Sequence, residues 1–175
     1  MATALELEIG IRDMTDADLA SVVEIVNREI AESPYVWAEI PTTVDVRREW
    51  LARHHELGQP AIVAVEPAGG RVLGWASLST FRASSGYRFT LEASVYVARD
   101  AWRRGVARRL VAELHGRARS AGVHAIIGVI DVENEPSIAL FRSFGYAEVG
   151  RLEDIGRKFG AWRSEVFLLR RVGEV

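Results

Sequence analysis

Five arginines crowd one short stretch of the chain: Arg99, Arg103, Arg104, Arg108 and Arg109. They surround Gly105-Val106-Ala107, and Trp102 to Leu110 reads as a turn that opens a helix. Just upstream, Glu92-Ala93-Ser94-Val95-Tyr96-Val97 reads as an apolar strand. A strand feeding such a turn gathers unpaired backbone N–H groups at the positive end of a helix dipole, which is an anion site. Guanidinium groups in that density imply a highly charged anion, and a pyrophosphate-bearing cofactor fits. The plain alternative is a helix start with solvated arginines. A Gly-x-x-x-x-Gly-Lys-Ser/Thr phosphate loop is absent, as is a three-glycine dinucleotide fingerprint near the first strand.

A second group of residues runs from Asn134 to Tyr146. Asn134 and Ser137 stand at a helix start, where they can cap it and also bond the amides of a bound chain. Ile138, Phe141 and Phe144 supply an apolar wall. The same segment also reads as a capped core helix. Glu92, a carboxylate at the strand, reads by itself as an ion-pair partner of Arg82 or Arg88. Arg82 and Arg88 suit planar oxyanions such as a carboxylate or phosphinate. Trp37 and Tyr35, in a loop from Ser33 to Pro41, could wall a pocket or simply pack.

The rest of the composition narrows the class. At 175 residues the chain fits one domain, 1–175, able to bury its own core. A net charge of −2 argues against a general nucleic-acid binder. The chain has no cysteine, which removes disulfides, thiolate metal sites and a cysteine nucleophile. His54, His55, His115 and His124 complete no metal-ligand spacing, so no metal is expected. Met1 to Gly10 lacks the pattern of a signal peptide and no run is long enough for a membrane span, so a cytoplasmic protein without membrane association is expected.

These residues need a scaffold, and hydrophobic periodicity supplies one. Leu5, Leu7, Ile9 and Ile11 alternate as a first strand. Thr15 with Asp18 resembles a capping box before a helix that buries Leu19, Val22, Val23, Val26 and Ile30, and Pro34 ends it. A second helix is expected from about Thr43 to Leu57. Strands at Ala61 to Val65 and Val72 to Phe81 flank the turn Pro67-Ala68-Gly69-Gly70. Phe89 to Val97 is the next strand, followed by a helix that carries Ala107, Leu110, Val111, Leu114 and Ala118 and stops at Gly122. Ala125 to Val132 is a buried strand, Asn134 to Gly145 a short helix, and Ala147 to Leu152 and Ala161 to Arg170 two last strands. The order β-α-α-β-β-β-α-β-α-β-β, with hairpins in its middle, predicts an α/β (α+β) fold with a mixed sheet.

Two segments together carry a resemblance to a known family. Trp102-Arg103-Arg104-Gly105-Val106-Ala107 is similar to the Arg/Gln-x-x-Gly-x-Gly/Ala motif of the GCN5-related N-acetyltransferases (GNAT), with Trp102 in place of Arg or Gln. Asn134 to Tyr146 resembles that superfamily's second motif. Phe81-Arg82, the turn Ser85-Gly86-Tyr87, then Arg88-Phe89-Thr90-Leu91-Glu92-Ala93-Ser94-Val95-Tyr96-Val97 resembles the phosphinothricin and methionine sulfoximine N-acetyltransferases. So does Gly156-Arg157-Lys158-Phe159-Gly160-Ala161-Trp162.

The resemblance implies a GNAT fold, a mixed and mostly antiparallel sheet of six to seven strands with about four helices. It implies acetyl-CoA as co-substrate, with Val95, Tyr96 and Val97 at the acetyl and pantetheine end. Arg103, Arg104, Gly105, Val106, Ala107 and Arg108 would wrap the pyrophosphate, and Asn134, Ser137 and Phe141 would line the pantetheine arm. Glu92 would remove the amine proton. Arg82, Ser85, Gly86, Tyr87, Arg88 and Trp37 would contact a small amino-acid-like amine, and the enzyme would be a homodimer. Phe141 replaces a Tyr or His and can carry no proton. A thiol leaving group has a pKa of about 8.5, so protonating it is helpful rather than obligatory. Two rivals follow: the same chemistry on a peptide N-terminus or polyamine, and a non-catalytic acyl-CoA-binding module.

Overall fold

The computed structural model describes residues 9–67 and 70–173. Its strands are β1 (Gly10–Asp13), β2 (Ala61–Val65), β3 (Val72–Thr80), β4 (Thr90–Val97), β5 (Ala125–Asp131), β6 (Ala147–Lys158) and β7 (Ala161–Arg171). Its helices are α1 (Leu19–Glu32), α2 (Val44–Glu56), α3 (Val106–Ser120) and α4 (Glu135–Ser143). The strands form one sheet in the order β1-β2-β3-β4-β5-β7-β6, in which only β4 and β5 pair in parallel. The mixed, mostly antiparallel sheet expected from the element order is present.

Alternation along the strands sends side chains to two cores. Leu91 of β4 and Ile126 and Ile130 of β5 face α3 and α4, with Leu110, Leu114 and Phe141. Trp75 and Tyr96 face α1 and α2, with Leu19, Val22, Ile30 and Leu51. On α1 the periodicity misplaced one contact: Ile25 is buried, whereas Val23 is half-exposed at the flank of the stripe.

Local signals set most boundaries. The Asp18 carboxylate accepts from the Thr15 N–H at 2.8 Å and the Thr15 hydroxyl at 2.9 Å, which caps the short 3-10 turn Asp16–Asp18 that leads into α1. Thr43 caps α2 through the Val46 N–H, and Asn134 caps α4 through the Ser137 N–H. Gly122 and Gly145 leave α3 and α4 with φ of 69° and 81°. Two expectations fall partly on residues outside those described: Leu5 and Leu7 of the first strand, and Ala68 and Gly69 of the β2–β3 turn.

β6 does not stop at Leu152. Its register with β7 shifts after Leu152, where Asp154 takes a φ of 53°, and pairing resumes at Gly156↔Arg163. The hairpin then closes through Phe159 and Gly160, both at positive φ, the backbone of a two-residue primed turn. Periodicity of two breaks at such a bulge, so the strand looks shorter in sequence than it is.

His115 of α3 is buried against Tyr146, with its Nε2 2.9 Å from the phenol oxygen. Arg170 donates to its Nδ1 at 3.1 Å, so the proton of the neutral ring sits on Nε2. Burial first, then the Arg170 and Arg119 charges, pushes the imidazole from the ordinary 6.5 to about 4. The unfolded chain therefore binds the proton more readily, and stability falls as pH drops from about 6.5 to about 4. Thermal melts across that range should show a declining Tm whose slope is reduced in His115→Gln. An equal slope in both proteins would remove His115 as its source.

Candidate active site

The sheet parts at its centre. β4 and β5 pair only at Thr90↔Ala125, Leu91↔Ile126 and Glu92↔Ile127. Beyond Glu92, β4 follows β3 as far as Gly74↔Val97, while β5 follows β7 as far as Asp131↔Glu165. A wedge opens between them. Ala98 donates its N–H to Leu73 of β3 at 2.9 Å, so by alternation the N–H and C=O groups of Val95 and Val97, beyond the last β4–β5 pair, point away from β3 into the wedge. Those groups have no strand to meet. They form a row of donors and acceptors suited to an extended amide-bearing chain.

The arginine turn lies at the mouth of this wedge. Arg103 and Gly105 both take positive φ, 62° and 81°, and Arg109 makes the first α3 bond to the Gly105 carbonyl at 3.1 Å. The N–H groups of Gly105, Val106, Ala107 and Arg108 therefore have no intrahelical acceptor. Gly74 permits the close approach of this turn, since a Cβ there would lie 2.6 Å from the Tyr96 carbonyl oxygen and 3.3 Å from Val106. Two of the surrounding arginines are already engaged. Arg99 pairs with Glu29 and Glu32 of α1, and Arg109 bonds the Ile9 carbonyl. Arg103, Arg104 and Arg108 pair with no carboxylate among the described residues, and the Arg104 Nε is buried without a partner. Arg108 reaches Ser143 at 3.3 Å and stacks over Phe144, which joins the turn to α4.

Trp102 departs from the motif in a structured way. Its indole N–H donates to the Val97 carbonyl at 2.9 Å and ties the end of β4 to the turn. That carbonyl is thereby occupied, and the Val97 N–H remains. Phe141 lies deep, 3% exposed, with its ring against Gly128 of β5 and edge-on to Tyr146. Ser137 stands one turn above it at the α4 start with Asn134.

Glu92 faces the opposite side of the sheet, with Ser94 and Tyr96. It makes no ion pair with Arg82 or Arg88. Arg82 lies over Phe81 at 5.2 Å, whereas Arg88 lies over Phe89 at 4.3 Å and bonds the Ser85 carbonyl. Burial, and secondarily the Glu165 charge, raises the Glu92 carboxyl above the ordinary glutamate range. The turn Ser85–Tyr87, Arg82 and Arg88 are exposed beside the start of β4, and neither arginine meets a carboxylate among the described residues. The wedge thus has a basic turn on one face of the sheet and a free carboxylate on the other.

Trp37 is fixed by a hub that sequence reading did not single out. The Asp131 carboxylate, at the end of β5, accepts from Arg163 Nε at 2.8 Å and Nη2 at 2.6 Å. It also accepts from the Trp37 indole N–H and the Glu133 N–H, each at 2.9 Å. The Trp37 ring lies flat on Gly156 of β6, where any Cβ would collide with it. Tyr35 packs near the Arg163 guanidinium. Lys158, buried, donates to the Ile30 and Ala38 carbonyls and so clips the same loop to the β6–β7 hairpin. Asp131 and Arg163 are far apart in sequence, and no local spacing connects them. Lys158 carried one signal, as the sole lysine of the chain.

These features agree with comparisons to known proteins. The acetyltransferase (GNAT) family model matches residues 23–146. The L-methionine sulfoximine/L-methionine sulfone acetyltransferase of Pseudomonas paraeruginosa is 35% identical over 162 residues, covering 93% of this chain and 94% of that protein. The phosphinothricin acetyltransferase of Sinorhizobium meliloti, solved with acetyl-CoA, superposes with a TM-score of 0.91 at 32% identity, covering 95% and 89% of the two chains. A ribosomal-protein-alanine N-acetyltransferase from Brucella melitensis superposes with a TM-score of 0.89 at 38% identity, covering 93% and 99%. With the parted strands, the basic turn and the capped α4 on one frame, the chain belongs to the GNAT family of acetyltransferases.

Proposed function

We propose that this acetyltransferase uses acetyl-CoA to acetylate the amino group of a small amino-acid-like substrate of the methionine sulfoximine, methionine sulfone or phosphinothricin type. The observation that carries the reading is the unpaired Glu92 carboxylate beside the parted β4 and β5 strands. Acetyl-CoA supplies the activated acetyl group. The residues present fit it: unpaired wedge groups of Val95 and the Val97 N–H for the acetyl and pantetheine end, free amides and Arg103, Arg104 and Arg108 for the pyrophosphate. Asn134 and Ser137 border the pantetheine path, with Phe141 as apolar floor.

Glu92 takes the proton from the substrate ammonium, directly or through water. A free α-amine is mostly protonated at neutral pH, so this step is required before attack. Its raised pKa makes Glu92 a stronger base than an ordinary glutamate. The Val97 N–H, already aimed into the wedge, stabilises the negative charge that develops on the carbonyl oxygen. Arg82, Arg88 and the Ser85-Gly86-Tyr87 turn receive the oxygens of the substrate side chain, and Trp37 closes the site from the loop side.

The working unit is a homodimer built on the β6–β7 hairpin. Val149, Leu152, Ile155, Phe159 and Trp162 are exposed there, a run of large apolar groups that a partner surface would cover. A peptide N-terminus is the second reading, favoured by the 38% identity to the Brucella protein. The free arginines beside Glu92 favour an acceptor with its own negative charge instead.

Thiol release from acetyl-CoA decides among these readings. Methionine sulfone, methionine sulfoximine and phosphinothricin should each accelerate it well above background hydrolysis, and an alanine-led peptide should not. The reverse order would reassign the acceptor. A CoA-induced rise in Tm without turnover of any amine would leave a binding module.

A further inference from the structure

Arg47, on α2, is a half-buried positive charge that meets no carboxylate among the described residues. Its Nε is sealed from solvent without a hydrogen-bond partner. Its guanidinium carbon lies 5.2 Å from the Trp50 ring centre and 5.3 Å from that of Trp75. Trp75 in turn stacks on Tyr96 at 4.8 Å. The aromatic faces recover part of the cost of burying the charge. They supply no acceptor for the sealed Nε–H, and a buried donor ordinarily has one. The site suits a small anion.

Its place in the fold says which anion. His54 Nε2 meets the Ser79 hydroxyl at 2.9 Å, and Ser79 is the cross-strand neighbour of Glu92. Two helical turns earlier, Arg47 covers Trp75, the cross-strand neighbour of Tyr96. α2 therefore runs over β3 beside β4, with Glu92 next to the strand position under its His54 end and Tyr96 next to the one under Arg47. Ser94 lies between them, beside the parted strands where the amine must sit to react. The Tyr96 phenol, raised chiefly by burial, feels the Arg47 charge and, after it, those of Glu29 and Glu92. An amine near Ser94 puts its own α-carboxylate a few ångströms along β4, whereas the longer side chain of the same substrate extends outward to exposed Arg82 and Arg88.

We propose that Arg47 anchors the α-carboxylate of the amino-acid substrate. This rests on the amino-acid acetylation reading above and deepens it: the enzyme selects free amino acids over peptides and amides by an aromatic-walled guanidinium on α2.

The test compares L-methionine sulfone with its α-carboxamide, using the full chain, saturating acetyl-CoA and equal concentrations of free amine. In the wild-type protein the amide is expected to have a KM at least roughly tenfold higher, the loss of one charge-assisted pair. Arg47→Gln should raise KM for the acid by a similar factor while kcat changes by less than about threefold, and should leave KM for the amide where it was. Arg47→Lys should recover part of the loss on the acid. The two deletions are then non-additive, which a merely structural arginine would not produce. Equal KM values for acid and amide in the wild type, a comparison that needs no variant, overturn the assignment. So does an Arg47→Gln penalty of the same size on both acceptors. Either result leaves amino-acid acetylation standing, whereas a wild-type protein inert toward every amino acid removes that reading and this assignment together.

Discussion

Glu92→Gln is expected to lower kcat at neutral pH by about 10²–10⁴-fold, the span typical of a positioned general base. The substitution keeps the shape of the side chain and removes only its basicity. CoA should still raise Tm to the same extent, because the turn from Arg103 to Arg108 lies on the other face of the sheet. The sign of the pH dependence follows from the environment of the carboxyl. Burial, then the Glu165 charge, raises its pKa, so the group becomes protonated and inactive at a higher pH than an ordinary glutamate would. The acid limb of the wild-type kcat profile should accordingly sit above the normal glutamate range. As pH approaches the pKa of the substrate amine, solvent supplies the free amine and the deficit of the variant should shrink. Full kcat in Glu92→Gln at both neutral and high pH would show that another group, or water alone, carries the proton.

Asp131→Asn should produce the largest loss of stability. The Asp131 and Arg163 side chains are 1% and 9% exposed and share two hydrogen bonds, so removing the Asp131 charge leaves the buried guanidinium with only the exposed Glu133 as counter-charge. Breaking a buried pair in this way costs about 3–5 kcal/mol. For a chain of this size each kcal/mol lowers Tm by roughly 2–4 °C, so the melt should move by roughly 6–20 °C. Burial by itself would raise the Asp131 pKa. The Arg163 bonds, the Glu133 N–H and the Trp37 indole outweigh that and hold it below the usual range. The stabilisation is therefore fully present above the ordinary aspartate pKa and is lost as pH falls through the depressed one. The difference in Tm between wild type and Asp131→Asn should narrow in strong acid. Trp37 loses its acceptor too, so KM for the amine should rise more than KM for acetyl-CoA. A variant that melts with the wild type would mean that Glu133, which already accepts from Arg163 Nη1 at 2.9 Å, neutralises the guanidinium by itself.

The sequence was informative wherever function is written in adjacent residues. The strand, turn and helix around Gly105, the cap at Asn134 and the Arg82 to Val97 segment all lie within one or two elements, and short-range spacing fixes their backbone shapes. The expected mixed sheet, the element order and nearly all boundaries are those of the structure. Where the periodicity misled, at β6 beyond Leu152, a bulge had broken the alternation on which such reading depends.

Side-chain pairing across the fold was not legible. Arg99 is spent on the carboxylates of α1 and Arg109 reaches back to the Ile9 carbonyl, and nothing in their spacing distinguishes them from Arg103, Arg104 and Arg108, which meet no carboxylate among the described residues. Trp102, which looked like a mismatch, closes the end of β4 through the Val97 carbonyl. Asp131 and Arg163 meet across the β5–β7 pairing, and Arg47 earns attention only because α2 lays it on Trp75 without an acceptor. The amino-acid sequence by itself determined the family and the order of elements. Tertiary structure alone decided where β4 leaves β5, which charges remain unpaired and therefore available, and which face of the sheet each one serves. The physical reason is that backbone conformation follows from near neighbours, whereas the neutralisation of a long charged side chain depends on whatever the folded chain brings within about 3 Å of its tip.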